Sequence, residues 1–199
     1  MATPRLILAS ASPRRQQLLR EAGYVFDVIP ANVPEDDDPP VMPPIALAQY
    51  LASVKAQTVG RLHADAVVLG ADTVVAFGER VLGKPRDADD ARRMLTLLAG
   101  TTHIVITGVA VVRHAASLYT CSRVLSAVRM RDLTPLEIDR YVAGGQWRGK
   151  AGGYGIQDDD PFVTRMAGCH TNIVGLPVPE TKRLLERAGL VPNSPGASP

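Results

Sequence analysis

The stretch HIVITGVAVVRHAASLYTCSRVLSAVRM, residues 103–130, constrains the fold more than any other. Two long runs rich in β-branched residues flank a break at His114–Ser117, the pattern of an antiparallel hairpin. Strands this long need further strands beside them and helices over their faces. The remainder of the chain supplies both. RLILA (5–9) reads as a buried strand, and YVFDVI (24–29) alternates and reads as a second. AVVLGADTVVAF (66–77) reads as one or two buried strands interrupted at Gly70–Thr73, GERVLGKP (78–85) as a turn and return, and FVTRMAG (162–168) as a short strand. Ser12 and Pro13 open a helix that Gly23 closes, with Leu18, Leu19 and Ala22 inward. ALAQYLASVKAQTV (46–59) is a helix with Leu47, Leu51 and Val54 on one stripe and Lys55 beside it. Asp87 opens another, with Ala91, Met94, Leu95 and Leu98 inward. Thr134-Pro135-Leu136-Glu137 is a capping box, and a last helix after Pro179 carries Leu184, Leu185 and Ala188. Helices alternate with strands around a central hairpin, so the expected class is α/β with a mixed, twisted sheet and flanking helices.

Charge and cysteine usage narrow the function. A net charge of +2 is too small for wholesale binding to nucleic acid or to a membrane surface, so any basic site must be local. No apolar run is long enough to span a bilayer, the N-terminus lacks the long apolar segment of a signal peptide, and two cysteines make no disulfide framework. The expectation is a cytoplasmic protein with one domain over residues 1–190 and a disordered tail over 191–199.

Several short stretches could carry chemistry. In LILASASPRRQQLL (6–19), an apolar strand runs into serines, a proline and two arginines at a helix start. A helix N-terminus has unpaired N–H groups and partial positive charge, and guanidinium groups suit phosphate oxygens. Arg14 and Arg15 are thus either phosphate ligands or solvated residues on a capped helix. GERVLGK (78–84) has the spacing of a P-loop, but Pro85 replaces the Ser or Thr that such a loop needs and disfavours a helical Lys84. Lys84 remains as a phosphate ligand on a rigid turn or as a surface lysine. In GADTVV (70–75), Asp72 follows a very apolar strand. A carboxylate there needs a partner. It binds a metal, activates water, does both, or satisfies a turn. PEDDDPP (34–40) is a solvated acidic loop from which Glu35 stands out as a second metal or water ligand. Lys150, Tyr154 and Gln157 lie in a glycine-rich segment where backbone can approach a ligand closely. The four histidines show no metal-binding spacing, and Cys169-His170 is no dyad by adjacency alone.

ASASPRR (9–15), Glu35, Lys55, GADTVV, LGKP (82–85), TH…TGVA (102–110), KAGGYGIQ (150–157) and NIVGLP (172–177) follow one another in this order. Taken together they resemble the Maf family of nucleoside triphosphate pyrophosphatases, over roughly residues 5–190. The resemblance implies a fold of two lobes around a deep cleft, similar to that of the inosine triphosphate pyrophosphatases. It implies cleavage of a nucleoside triphosphate between the α and β phosphates with a divalent cation, Mg or Mn, in a homodimer. Carried over by position, Ser10, Arg14, Arg15, Lys55 and Lys84 would hold the triphosphate. Asp72 would take the proton of the attacking water, and Glu35 would assist at the metal. Arg14, Thr73 and Gln157 would bear on substrate choice. Tyr154-Gly155-Ile156-Gln157 is similar to the branch acting on dTTP and UTP. Residues 158–161 and 168–171 depart from the family pattern. Two rivals stand beside this reading: a pyrophosphatase for damaged purine triphosphates, and a nucleotide-binding regulator of cell division or septum formation with little turnover.

Overall fold

The computed structural model describes residues 4–33, 41–159 and 161–193. Among these, seven strands form one mixed sheet. β1 (Leu6–Leu8) pairs in parallel with β2 (Asp27–Val28) and with the first part of β3 (Val67–Phe77). β4 (Arg80–Leu82), β5 (Thr102–Arg113), β6 (Leu118–Met130) and β7 (Val163–Ala167) are antiparallel to their neighbours. The order is β2-β1-β3-β5-β6-β7, with β4 also on β3. The hairpin of β5 and β6 turns at residues 114–117, where the sequence breaks its β-branched runs. No helix among the described residues is long and apolar enough to cross a membrane.

One face of the sheet carries α2 (Pro44–Leu62). The other carries two groups of helices. α1 (Pro13–Glu21) and α6 (Val178–Arg187) bury Leu19, Leu184 and Leu185 on Leu6, Leu8, Leu69 and Val109. α3 (Ala88–Leu98) and α4 (Pro135–Ala143) bury Leu95, Leu98 and Ile138 with Trp147 on Val75, Val105 and Met130. The short α5 (His170–Val174) follows β7. α3 presents the inward face that its spacing predicts, starting at Asp87, whose carboxylate accepts from Asp90 N–H (2.8 Å). The capping box of α4 forms as read.

Three elements differ from the sequence reading, each for a physical reason. Of the one or two strands read over 66–77, β3 is the single one, 11 residues without an interruption at Gly70–Thr73, because β5 pairs with it continuously from Val68 to Ala76. β2 is only two residues long; Tyr24 instead turns inward to the core under α1 and α6. In α2 the buried stripe is Ala48, Ala52, Ala56 and Val59 below Leu47, while Leu51 and Val54 are half-buried. The helix backbone sits so close to the sheet that only small side chains fit. A Cβ on Gly108 would lie 2.1 Å from Ala48 O, and one on Gly70 would lie 2.4 Å from Ala52 O.

β3 also has an incomplete edge. β5 fills one side. On the other, β1 pairs only as far as Leu69 and β4 begins only at Val75. Gly70–Val74 therefore face a notch with no strand partner among the described residues. Ser12 stands at the N-cap of α1, but its side chain makes no capping bond, and its N–H donates to Ser10 Oγ (3.3 Å). The start of α1 thus opens toward the same notch.

Because the α2–sheet contact involves backbone on one side, it cannot relax by a rotamer change. Gly108→Ala should destabilise the fold by roughly 2 kcal/mol or more, since overpacking a tight contact typically costs 1–3. Urea denaturation of the variant against wild type checks this.

Candidate functional site

The notch in β3 is the floor of a cleft of about 490 Å³. Five separate segments reach it. β1 ends and turns into α1, bringing Ser10, Arg14 and Arg15. α2 brings Lys55, β3 brings Asp72 and Thr73, and the turn after β4 brings Lys84. The glycine-rich segment after α4 brings Lys150 and Gln157. Every site residue expected from the sequence that lies in the described part of the chain lines this one cleft. Glu35 lies outside the described residues.

Residues 72 and 73 point to opposite faces of β3, yet both reach the cleft because the edge between them is open. Asp72 lies on the α2 face, where Lys55 Nζ donates to its Oδ1. Both side chains are largely shielded, 17% and 14% exposed. The pair sits where α2 descends onto Gly70 and Gly108, and Asp72 is opposite Gly108 in the β3–β5 register. Asp72 is therefore mid-strand rather than at a strand end. A turn role for its carboxylate is ruled out, since its partner is Lys55.

Thr73 lies on the other face and belongs to a rigid polar chain. Arg15 Nη2 donates to Thr73 Oγ1 (3.0 Å), Nη1 to Ser10 Oγ (3.2 Å) and Nε to Gly175 O (2.8 Å). Thr107 donates to Asn172 O (3.1 Å), which leaves Thr73 to donate to Thr107 (2.9 Å). Asn172 Nδ2 in turn donates to Val105 O and Ser126 Oγ. Arg15 is thus a strut joining α1, β3 and the turn after α5. Thr107 and Asn172 lie inside motifs singled out in the sequence, but their role as supports shows only when β5 and α5 are brought together.

The opposite wall is built from the glycine-rich segment. Gly152 and Gly153 have positive φ (70° and 77°), and a Cβ at Gly152 would press on Val75 and Tyr154. Gly152 N–H donates to Gly83 O (2.9 Å), which ties this segment to the turn that carries Lys84. Arg14 Nη2 reaches across the cleft to Gly149 O (2.7 Å). Burial lowers the Arg14 pKa, against the opposing pull of nearby Asp158. Lys150 Nζ donates to Asp158 Oδ1, and Tyr141 donates to Asp158 Oδ2 (2.8 Å). Asp158 belongs to the run that departs from the family pattern. Nothing in its sequence neighbourhood distinguishes it from the solvated Asp159.

The donor set can be tested for a metal. Among the described residues no three His, Cys, Asp or Glu side chains cluster. An all-protein cage is thus absent there. Asp72, one carboxylate facing a cleft of cationic side chains, suits a hard cation that enters with phosphate oxygens and keeps water ligands, as Mg²⁺ does.

Behind the wall, Tyr154 meets His103. The Nε2–hydroxyl distance is 2.6 Å, and the rings stand edge to face. Burial pushes the His103 pKa down to about 4 and raises that of Tyr154, so both are neutral at pH 7. The sign of the pH effect follows. Below the ordinary value of 6.5 the unfolded chain takes up a proton that folded His103 refuses until about pH 4. Stability is lost as pH falls through that window. Between pH 7 and pH 5 this group should remove about 2 kcal/mol. Urea denaturation at both pH values should show that loss in wild type and not in His103→Gln.

The family model for Maf-like proteins matches residues 5–188. A dTTP/UTP pyrophosphatase of Anaeromyxobacter dehalogenans (strain 2CP-C) is 47% identical over 189 residues, 94% of this chain and 95% of that protein. One of Hyphomonas neptunium is 48% identical over 185 residues, 92% of this chain and 95% of that protein. One of Pelotomaculum thermopropionicum is 42% identical over 186 residues, 92% of this chain and 96% of that protein.

Proposed function

Since the chain belongs to the Maf family, we propose that it hydrolyses dTTP and UTP to the nucleoside monophosphate and pyrophosphate. The observation that carries this reading is one shielded carboxylate, Asp72, on the floor of a cleft where Arg14, Lys55 and Lys84 converge. A triphosphate needs that surplus of cationic donors both to bind and to stabilise charge in the transition state. The relatives at 42–48% identity carry the same activity in their names.

In this mechanism the start of α1, Ser10, Arg14, Lys55 and Lys84 hold the phosphates, and Arg15 keeps α1 and β3 in register. Asp72 is the proton acceptor. Lys55 engages its Oδ1, and we assign Oδ2 to the attacking water. The water oxygen bonds to the α-phosphorus as its proton passes to Asp72, and the bond to the bridging oxygen breaks, releasing pyrophosphate. Asp72, with Glu35 as the second ligand we assign, would hold a divalent cation, Mg²⁺ or Mn²⁺, whose chemistry is neutralisation of charge on the phosphate oxygens. Thr73 and Gln157 bear on substrate choice. We further propose a cytoplasmic homodimer acting on free nucleotides, without nucleic acid or membrane as partner, in keeping with a net charge of only +2.

Pyrophosphate release from dTTP, UTP, CTP, dATP, ITP and 7-methyl-GTP with Mg²⁺ or Mn²⁺ tests the proposal. We expect turnover of dTTP and UTP, and a loss of roughly 10²–10⁴-fold in Asp72→Asn with its unfolding transition kept, the range for a general base. Activity confined to purines would move the substrate class. An active, folded Asp72→Asn would remove Asp72 from the base role. Tight binding without turnover would favour the regulator.

A further inference from the structure

Asp158 faces two cations, Lys150 and Arg14, but does not itself line the cleft. It is held from behind by the Tyr141 hydroxyl, which donates to its Oδ2 (2.8 Å). Oδ1 takes Lys150, which does line the cleft. The Lys150 and Asp158 side chains are only 12% and 13% exposed. Lys150 is therefore a donor with a fixed direction. A second group converges on the same place. A Cβ on Gly155 would lie 2.6 Å from Asp158 Oδ1 and 2.8 Å from Gln157 Nε2. A side chain on residue 155 would displace the Gln157 amide and the Asp158 carboxylate from where they gather.

We propose that Lys150 and Gln157 together read the pyrimidine base, and that Asp158 is the positioning residue that makes Lys150 a base reader instead of a phosphate ligand. The proposal rests on the pyrophosphatase reading and deepens it. Uracil and thymine present acceptor, donor and acceptor at O2, N3–H and O4. Gln157 offers one donor and one acceptor, and an ammonium held in place offers the missing second donor. Cytosine has an amino donor where uracil has O4, and N3 is an acceptor. With the Lys150 ammonium on O4 of uracil, it meets the amino group of cytosine instead, a mismatch that no turn of the Gln157 amide removes. A site built to satisfy a substrate edge rejects the analogue that leaves its polar groups unpaired. The carboxylate serves a further purpose. By offsetting Lys150, it makes this wall less attractive to phosphate. The nucleotide is thereby oriented with its base on the glycine-rich wall.

The test is kcat and KM for UTP and CTP in wild type, Asp158→Asn, Lys150→Met and the double variant, each first checked for an unchanged unfolding transition. Asp158→Asn can still accept the Tyr141 bond. We expect each single variant to reduce the ratio of kcat/KM for UTP to that for CTP by about tenfold, the size of one charge-assisted hydrogen bond. We expect the double variant to lose no more than Lys150→Met alone, because Asp158 acts through Lys150. Should Asp158→Asn fail to fold, Tyr141→Phe removes the brace from Oδ2 and should shift the same ratio in the same direction. Equal losses on UTP and CTP would make Lys150 a phosphate ligand and overturn the proposal. So would additive losses in the double variant, which would separate Asp158 from Lys150. Failure of the wild type to cleave any pyrimidine triphosphate would instead overturn the pyrophosphatase reading itself.

Discussion

The architecture depends on one close approach, that of α2 to the sheet at Gly70 and Gly108. A helix normally stands off a sheet by the depth of its side chains. Here two glycines on adjacent strands and an alanine row on the helix remove that spacing, and backbone meets backbone. Two residues after Gly70, on the same face, comes Asp72, and Lys55 on α2 follows Ala52 by three. The short stand-off brings ammonium to carboxylate. Had these glycines carried side chains, α2 would ride higher and Asp72 would be an unpaired carboxylate among β-branched neighbours, which is strongly unfavourable.

The second constraint is the gap that β3 keeps between β1 and β4. Sheet edges are usually filled, covered or charged. This one is left open over five residues in mid-sheet, and the helices of the second face divide on either side of it. One break in pairing thereby lets two consecutive residues on opposite faces of a strand line one cleft: Asp72, paired with Lys55 of α2, and Thr73, bonded to Arg15 and Thr107.

Much of this was legible in the sequence where local chemistry determines structure. The 103–130 hairpin, the capping box at Thr134 and the inward face of α3 are set by residues next to one another. The candidate site residues Arg14, Arg15, Lys55, Asp72, Thr73, Lys84, Lys150 and Gln157 stand in recognisable motifs, and all line one cleft. What could not be read depends on contacts distant in sequence. Gly70 looked like an interruption in β3 because its reason, the Ala52 carbonyl, lies on another element. Leu51 and Val54 looked like a core stripe because apolar spacing says nothing about how near a helix sits. Asp158 looked like one aspartate among several, since its distinction is a tyrosine on α4 and a lysine eight positions back.

The bond from Arg14 to Gly149 O has a consequence for how a ligand leaves. The guanidinium spans the cleft and gives one of its five N–H donors to a neutral carbonyl. In the proposed function, ligation of Arg14 by a phosphate would exchange one acceptor for another, and its net gain would be the difference between an anionic oxygen and a peptide oxygen. A triphosphate engaged along its whole length has other contacts to hold it while that exchange occurs. Once the chain of phosphates is cut, each fragment must compete with Gly149 O separately. Under the proposed role of Arg14, the internal acceptor would favour departure of both products and return the cleft to its starting state.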